Sequence, residues 1–334
     1  MSKKVLVTGA TGFIGRAVSA RLAGSGYEVH AYVRPTSQVD KLLETVPGIH
    51  LHTGELNDQR ALSLAMQDVN WVIHCAGVNS FWEKKKRRYH QVNFEGTRNV
   101  MLIAQEAAVE KVVNVSTVMA YGFPEEMPFN ESSKPGPWMS RVAESKFMAD
   151  RESTIRYKKQ GMPLITVYLA AVIGAGDQKD VMNINRFLKG KVPLMIDSPY
   201  TFTYLHIKDA VDAIVSAAEL EGNIGERYLV GNQRLTTVKY FEIISELSGV
   251  PMPDRKIGKV PALALAWLLT SWANIIKKPP LMPLDLVRTV YRGNLIFDDS
   301  KTQLELGMVY TPIAAAIKEV VDERQGNMAA SPHP

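Results

Sequence analysis

A chain of 334 residues can bury a substantial core, as one large α/β unit or as one domain with a smaller one appended. Hydrophobic residues at 46% and charged residues at 22% match ordinary globular proteins, and a formal charge of +5 favours anionic ligands without marking a nucleic-acid binder. Cys75 is the sole cysteine, which excludes an intrachain disulfide and a Cys-rich metal site and fits a reducing cytoplasm.

In chain order, KVLVTGA is a short apolar run ending in glycine, and GRAVSARLAGSGY has a helical pattern closed by Gly24 and Gly26. EVHAYVR reads as a second strand, IHLHTGEL as a third, NWVIHCAG as a fourth, EKVVNVSTV as a fifth and PLITVYLAAVIG as a sixth. Helical windows such as RALSLAMQ and NFEGTRNVMLIAQEAAV separate them. Such alternation implies a parallel sheet with helices on both faces and right-handed crossovers. After Gly174 the regularity breaks: RYLVG is a short strand among helical VKYFEIISELSG, PLDLVRTVYRG and PIAAAIKEVVDE. The expected division is a nucleotide-binding domain over 1–174 and a mixed substrate lobe over 175–324, with some segments returning to the first domain. A disordered tail is expected over 325–334.

The opening Ser-Lys-Lys leads into a strand without an h-region or cleavage site, so a cytoplasmic location is expected. No uncharged apolar run of about 18 residues is evident, so no spanning helix is expected. The nearest candidate, Val260–Ile276, begins beside a proline, contains Thr270, Ser271 and Asn274, and is followed by KKPP. It reads as a helix buried in the substrate lobe. The other readings are a lid, or a membrane-surface helix giving peripheral contact through 260–278.

TGATGFIG, which spans Thr8, Gly9, Thr11, Gly12, Phe13, Ile14 and Gly15, lies between the first strand and the first helix. Gly9 suits a tight turn, Gly12 an approach of backbone amides to a pyrophosphate, and Gly15 close helix–sheet packing. The second strand then ends AYVRPTS, with no acid between Tyr32 and Gln38. A carboxylate there would favour NAD. Arg34, with Ser37 close behind, suits a 2′-phosphate, so NADPH is the predicted cofactor.

These motifs resemble the extended short-chain dehydrogenase/reductase family, from Lys3 to about Glu323. The resemblance implies a Rossmann-type doubly wound parallel sheet with a smaller C-terminal lobe. GELND is similar to the segment that packs on adenine, with Glu55 for the usual aspartate, followed by Leu56. HCAG, containing Cys75, Ala76 and Gly77, is similar to the segment lining the cofactor. NFEGTRN carries Asn93 at the structural asparagine, VSTVMAYG puts Thr117 at the catalytic Ser/Thr position, and ESKFMAD carries Lys146. YVRPTS, FWE and FDDSKTQLELGMVYTP are most similar to the dihydroflavonol reductase, 3β-hydroxysteroid dehydrogenase and hopanoid-associated branches. Those branches include enzymes for flat or polycyclic apolar molecules, besides sugar epimerases. The Leu, Ala, Trp267 and Trp272 of the C-terminal lobe suit an apolar ligand and an ordinary core equally.

The family's tyrosine, four residues before the lysine, exchanges a proton with the substrate. Here that position is Val142, and no tyrosine lies between Tyr121 and Tyr157. General acid–base help is worth about 10²–10⁴-fold. Three consequences are open. Hydride transfer persists with another acid or none, the candidates being Tyr121, His206, Tyr204, Thr117 and water. Alternatively the chain is a silent NADP-binding regulator, or it catalyses a non-redox step. Retention of the glycine loop, Asn93, Thr117 and Lys146 favours the first: reduction of an apolar carbonyl, enone or aromatic ketone.

FWEKKKRRYHQ holds five consecutive cations, Lys84–Arg88, between Trp82 and Tyr89. It reads as a solvated helical face, then as an anion contact near the pocket mouth; nucleic acid is not expected. His50 and His52 alternate on a strand without a nearby third ligand, so no metal site is expected. The family resemblance also points to a homodimer.

Overall fold

The computed structural model describes residues 2–177 and 184–330. Seven parallel strands form its main sheet: β1 (Lys4–Thr8), β2 (Glu28–Val33), β3 (His50–Thr53), β4 (Trp71–His74), β5 (Lys111–Thr117), β6 (Leu164–Leu169) and a later strand, Arg227–Val230. The spatial order places Arg227–Val230 beside β6, followed by β5, β4, β1, β2 and β3. The connecting helices are α1 (Phe13–Gly24), α2 (Asp40–Thr45), α3 (Gln59–Ala65), the short α4 (Arg87–Tyr89), α5 (Thr97–Glu106) and α6 (Arg141–Gln160). A π-helical stretch, His90–Gly96, joins α4 to α5.

Alternation along β1 shows why both faces are covered. Val5 and Val7 join a core with Val18 and Leu22 of α1, whereas Leu6 joins another with Leu62 of α3 and Val100 and Met101 of α5. Burying an aliphatic side chain of this kind is worth about 1.5–3 kcal/mol. The strand is therefore apolar throughout rather than alternating. The Rossmann-type doubly wound sheet expected from the sequence is present.

The remaining strands are β7 (Ala171–Ile173), β8 (Met195–Ile196), β9 (Thr201–His206), β10 (Arg227–Val230, already placed), β11 (Gln233–Thr236) and β12 (Lys256–Ile257). β9 pairs with β7 in parallel and with β11 antiparallel, while β8 and β12 form a separate pair. The later helices are α7 (Ile184–Leu188), α8 (Ile207–Glu219), α9 (Thr237–Ser248), α10 (Lys259–Ile276), α11 (Leu284–Val290), α12 (Ser300–Leu306) and α13 (Ile313–Ala330). Ala210, Ala213 and Ile214 of α8 lie in the same core as α1, so α8 and β10 belong to the main sheet although they follow Gly174. The lobe has its own core of Phe187, Tyr204, Tyr240, Ile317 and Val320.

Two expectations need correction here. The tail expected to be disordered from 325 is helical as far as Ala330, because α13 is pinned by Ile317 and Val321 and by a Gln325 Nε2 donation to the Ser248 carbonyl at 3.2 Å. Residues 331–334 lie outside the described residues. Val260–Ile276 is not a buried core helix. Only 17% of α10 is buried, and its 18 residues reach a mean hydropathy of 1.3. Thr270, Ser271 and Asn274 do not offset its leucines and alanines.

Candidate active site

The glycine loop is shaped by contacts that no side chain could share. Gly9 has φ +71°, and a β-carbon there would lie 2.7 Å from Ala76 Cα. A β-carbon on Gly15 would lie 2.2 Å from the Gly9 carbonyl oxygen, so α1 starts directly against the turn. Gly12 caps α1 without a side-chain hydrogen bond and is exposed. The first amides of α1 therefore suit an anion. Thr11, Phe13 and Ile14 are half-buried around the loop. Arg16, which sequence reasoning missed, sits in this first turn and donates to the Gly176 carbonyl at 3.2 Å. Its signal was a cation next to the last glycine of the motif.

Beneath the loop runs a buried polar chain. Thr8 Oγ1 accepts from the Ala76 amide at 3.3 Å and meets His74 Nδ1 at 2.7 Å, and His74 Nε2 meets Thr97 Oγ1 at 2.9 Å. The Thr8 hydroxyl hydrogen is then available to Nδ1, which leaves the ring proton on Nε2 for Thr97. Burial, reinforced by the Lys146 charge, pushes the imidazole down to about 3 and keeps it neutral. Thr8 is thus internally bonded and wholly buried.

Asn93 lies in the π-helical stretch, a feature frequent at functional sites. It accepts from the Val78 amide at 2.7 Å and donates to the Val78 carbonyl at 3.0 Å and to Ser145 Oγ at 2.9 Å. It thereby ties the segment after β4 to α6. Lys146 projects from α6 into the space that Gly77 leaves: a β-carbon on Gly77 would stand 2.9 Å from Nζ. Nζ also donates to the Val115 carbonyl at 3.4 Å. Burial pulls the Lys146 pKa down, and Asp150, one turn later, opposes that shift. Burial pushes Asp150 up to about 6 against hydrogen bonds from Ser116 at 2.7 Å and Asn114 at 3.1 Å. Burial likewise pushes the Cys75 thiol up to about 12, so it is unreactive at neutral pH. Thr117 ends β5, and its Oγ1 accepts from the Met119 amide at 3.3 Å.

Val142 is 1% exposed and packs in an apolar cluster with Val78, Tyr89, Phe81, Val92 and Met119. Tyr89 is a second residue that sequence reasoning missed. Its ring packs in the cluster around position 142, and its hydroxyl donates to the Ser80 carbonyl at 2.8 Å. Burial, with Glu83 and Asp285 nearby, raises its pKa.

Three of the candidate proton sources, Tyr121, His206 and Tyr204, are packed or bonded elsewhere. The Tyr121 hydroxyl donates to the Glu131 carbonyl at 3.1 Å, its ring stacks on Phe129, and burial pushes its pKa up to about 12. His206 caps α8, accepting from the Lys208 amide through Nδ1 at 2.9 Å, and its Nε2 lies 3.2 Å from Glu319. Tyr204 stacks on Tyr240 in the lobe core with centroids 5.3 Å apart. None of the three is hydrogen-bonded to Thr117 or Lys146 among the described residues. Tyr204 and His206 stand on β9 in the smaller lobe, and Tyr121 closes the 3-10 turn after β5, so each packs with the elements around it.

At the end of β2, Arg34 is exposed, and its carbonyl accepts from the Ser37 amide at 2.9 Å. Ser37 Oγ is buried without a hydrogen-bond partner among the described residues. Glu55 is exposed, and its carbonyl accepts from Tyr32 at 3.0 Å. Leu56 is half-buried against the core, and its carbonyl accepts from Asn99 at 3.0 Å.

The parallel register sets His30 of β2 beside His50 of β3, and Glu28 and His30 complete a group with His50 whose ligand atoms lie within 4.8 Å of one another. The group leaves out His52 and takes both Glu28 and His30 from the neighbouring strand, which spacing along one strand cannot reveal.

The capless α1, the glycine contacts and Lys146 beneath Gly77 define a Rossmann-type dinucleotide-binding site of the extended short-chain dehydrogenase/reductase class. The chain belongs to the NAD dependent epimerase/dehydratase family, whose model matches residues 5–231. It is 29% identical over 335 residues to a Synechocystis protein provisionally named dihydroflavonol 4-reductase, covering 96% of this chain and 94% of that one. Sterol demethylase protein B of Methylococcus capsulatus is 28% identical over 324 residues, covering 95% and 96%. Among solved structures, that of gox2253 superposes with a TM-score of 0.83 at 26% identity, covering 98% of this chain and 99% of that one. A Bacillus anthracis dTDP-glucose 4,6-dehydratase in complex with NAD superposes at 0.78 and 20% identity, with 98% of each chain covered, a likeness of fold.

Proposed function

We propose that the protein is an NADPH-dependent reductase of an apolar carbonyl, enone or aromatic ketone that works without the usual tyrosine. The observation that carries this reading is the buried Lys146 ammonium, seated under Gly77 while Val142 fills the tyrosine's place. When bound, the cofactor supplies the hydride. The amides of α1 and Arg16 would hold its pyrophosphate, and Arg34 with the unpartnered Ser37 Oγ would hold a 2′-phosphate. Gly77 and Ala76 would line the nicotinamide side.

Thr117 would hold the substrate oxygen through its hydroxyl. Lys146 would offset charge developing on that oxygen, which a dry surrounding makes more effective. With Tyr121, His206 and Tyr204 engaged elsewhere, the proton would come from water or through Thr117. An enone or quinone-like acceptor suits such a site, because its reduced form is a stabilised anion with little need of a strong acid. The names of the relatives, which include a dihydroflavonol reductase and 3β-hydroxysteroid dehydrogenases, support an apolar substrate.

A calorimetric titration of NADPH against NADH tests the cofactor, with Arg34→Ala as control. Preference for NADPH that the variant loses supports the reading, and hydride transfer to a panel of enones completes it. No binding of either nucleotide overturns it. The sealed apolar surroundings of Val142 favour a second reading, a catalytically silent NADP-binding regulator. Tight NADPH binding with no oxidation by any enone or ketone would select it.

A further inference from the structure

The outer face of α10 is apolar and exposed. Val260, Trp267, Leu268, Trp272 and Ile275 are 77%, 58%, 57%, 60% and 71% exposed. Their spacing sets them on one side of the helix, while Ala262, Ala266 and Ala273 are buried on the other. Large contiguous apolar patches on a protein surface mark interaction sites.

The surroundings of this face are cationic. Lys259 stands at its start and Lys277 and Lys278 just past its end, all exposed. Trp82 Nε1 donates to Asn274 Oδ1 at 3.1 Å, which fastens the exposed run Lys84–Arg88 beside the last turn of α10. The helix itself contains no Asp or Glu. Glu83 is engaged by Arg88 at 3.2 Å, and Asp285 accepts from the Arg141 amide at 3.2 Å.

We propose that α10 and the Lys84–Arg88 turn seat this protein on the surface of an anionic lipid bilayer. Tryptophans beside aliphatic side chains, rimmed by lysines, match the headgroup boundary, where rings sit at the interface and ammonium groups meet lipid phosphates. Insertion lies in the plane of the membrane rather than across it. The alanine face is packed against Met282, Val287 and Tyr291, and Thr270 Oγ1 accepts from the Leu284 amide at 3.0 Å. At 1.5 Å per residue the helix is about 27 Å long, short of a hydrocarbon core of about 30 Å. α11, which packs under the alanine face of α10, also meets the start of α6 through Asp285 and the Arg141 amide, which links the helix pair to the Val142 end of the site. Delivery of an apolar substrate from the bilayer rests on the proposed reductase function; the lipid contact does not.

Vesicle flotation of the full chain tests the contact without turnover. Phosphatidylcholine vesicles are compared with phosphatidylcholine–phosphatidylglycerol vesicles at low and high salt. The expected result is flotation with the mixed vesicles only, a blue-shifted tryptophan emission, and weakening by salt. Trp272→Ser with Ile275→Ser alters exposed positions and is expected to abolish flotation. Replacing Lys84, Lys85 and Lys86 by Gln is expected to weaken binding on the order of a hundredfold, at about fivefold per cation. Absence of flotation with the mixed vesicles, or equal flotation of both variants, overturns the proposal. So does a self-association that the Trp272/Ile275 variant abolishes, which would make the face a contact between two copies.

An independent observation lies at the other end of β2 from Arg34. His30 Nε2 is 2.9 Å and His50 Nε2 4.0 Å from Glu28 Oε1, while His30 Nδ1 is 2.8 Å from His52 Nε2. Zinc bonds of about 2.0–2.1 Å in a tetrahedron set neighbouring ligand atoms about 3.3 Å apart, within reach of small rotamer shifts. The geometry points to a zinc site made by Glu28, His30 and His50, with water as the fourth ligand. His52 is the outer partner that fixes the His30 tautomer. Lys4, whose Nζ is 3.9 Å from Glu28, would give up that contact. Calorimetric titration of the full chain with Zn²⁺ is expected to show one saturable site and a raised melting temperature. Both should be lost in His50→Ala, whose side chain is 59% exposed and dispensable to the core. Absence of saturable binding, or equal binding by His50→Ala, overturns the assignment.

Discussion

Gly77 and Lys146 occupy one another's space: a β-carbon at residue 77 would lie 2.9 Å from the lysine Nζ and 3.3 Å from its Cε. The ammonium is therefore held by an absence of side chain on the segment after β4. Asn93, bonded both to that segment and to Ser145 of α6, keeps the two elements at this separation.

Gly77→Ala is expected to displace the flexible end of Lys146 and weaken nicotinamide nucleotide binding by about tenfold, the worth of one hydrogen bond to a charged group. The residue is at the surface, so the melting temperature should fall less than affinity does. Calorimetry and thermal melting on the same preparation check this. Undiminished affinity would show that the ammonium does not depend on the gap.

Ser37→Ala removes a buried hydroxyl that has no internal partner. NADPH affinity is expected to fall about tenfold, the worth of a hydrogen bond to a charged group, while NADH affinity holds. Stability should not fall, because no internal hydrogen bond is lost. Equal losses for both nucleotides would place Ser37 away from the 2′-phosphate.

Val142→Tyr introduces a phenol beside Val78, Tyr89 and Met119. Crowding is expected to cost about 1–3 kcal/mol of stability. Met119→Ala in the same chain should recover part of that loss, a coupling that a double-mutant cycle reads directly. With the space relieved, the phenol should approach Lys146 and confer measurable reduction of simple ketones. Continued inactivity in a well-folded double variant would count against the geometry.

The pH dependence follows from two buried groups of opposite sign. His74 has a folded pKa of about 3 against an ordinary 6.5, so its contribution is full above 6.5 and lost as pH falls towards 3. Asp150 has a folded pKa of about 6 against 3.8, so its contribution is full below 3.8 and lost as pH rises through 6. Between these two carboxyl values the slopes cancel. Asp150→Asn removes one of them, and stability should then rise more steeply than in the parent, by about 1.4 kcal/mol per pH unit. Urea unfolding between pH 4 and 6 measures the difference; parallel curves would mean that Asp150 ionises normally.

Much of the cofactor site was legible along the chain because it is built from local backbone. Gly9, Gly12 and Gly15 declare a turn and a helix start within one short segment, and the apolar runs separated by helical windows declare a parallel sheet. The proton source was not legible. Tyr121 lies four residues after Thr117, yet its hydroxyl turns to Glu131, and His206 spends its ring on a helix cap. The helix over 260–276 was visible, but which of its faces would be covered was not, since that depends on where Met282 and Tyr291 come to rest.

Residue types and their local spacing therefore determined the doubly wound sheet, the glycine cradle, Arg34 in place of an acid and Val142 in place of a tyrosine. Tertiary structure alone decided that Lys146 lies under Gly77, that Ser37 keeps an unpaired hydroxyl, that His30 meets His50 across two strands, and that α10 shows its tryptophans outward. The physical reason is one of range. Backbone conformation is set by neighbours in sequence, whereas a side chain's partner is set by strand register and helix packing between segments far apart in the chain.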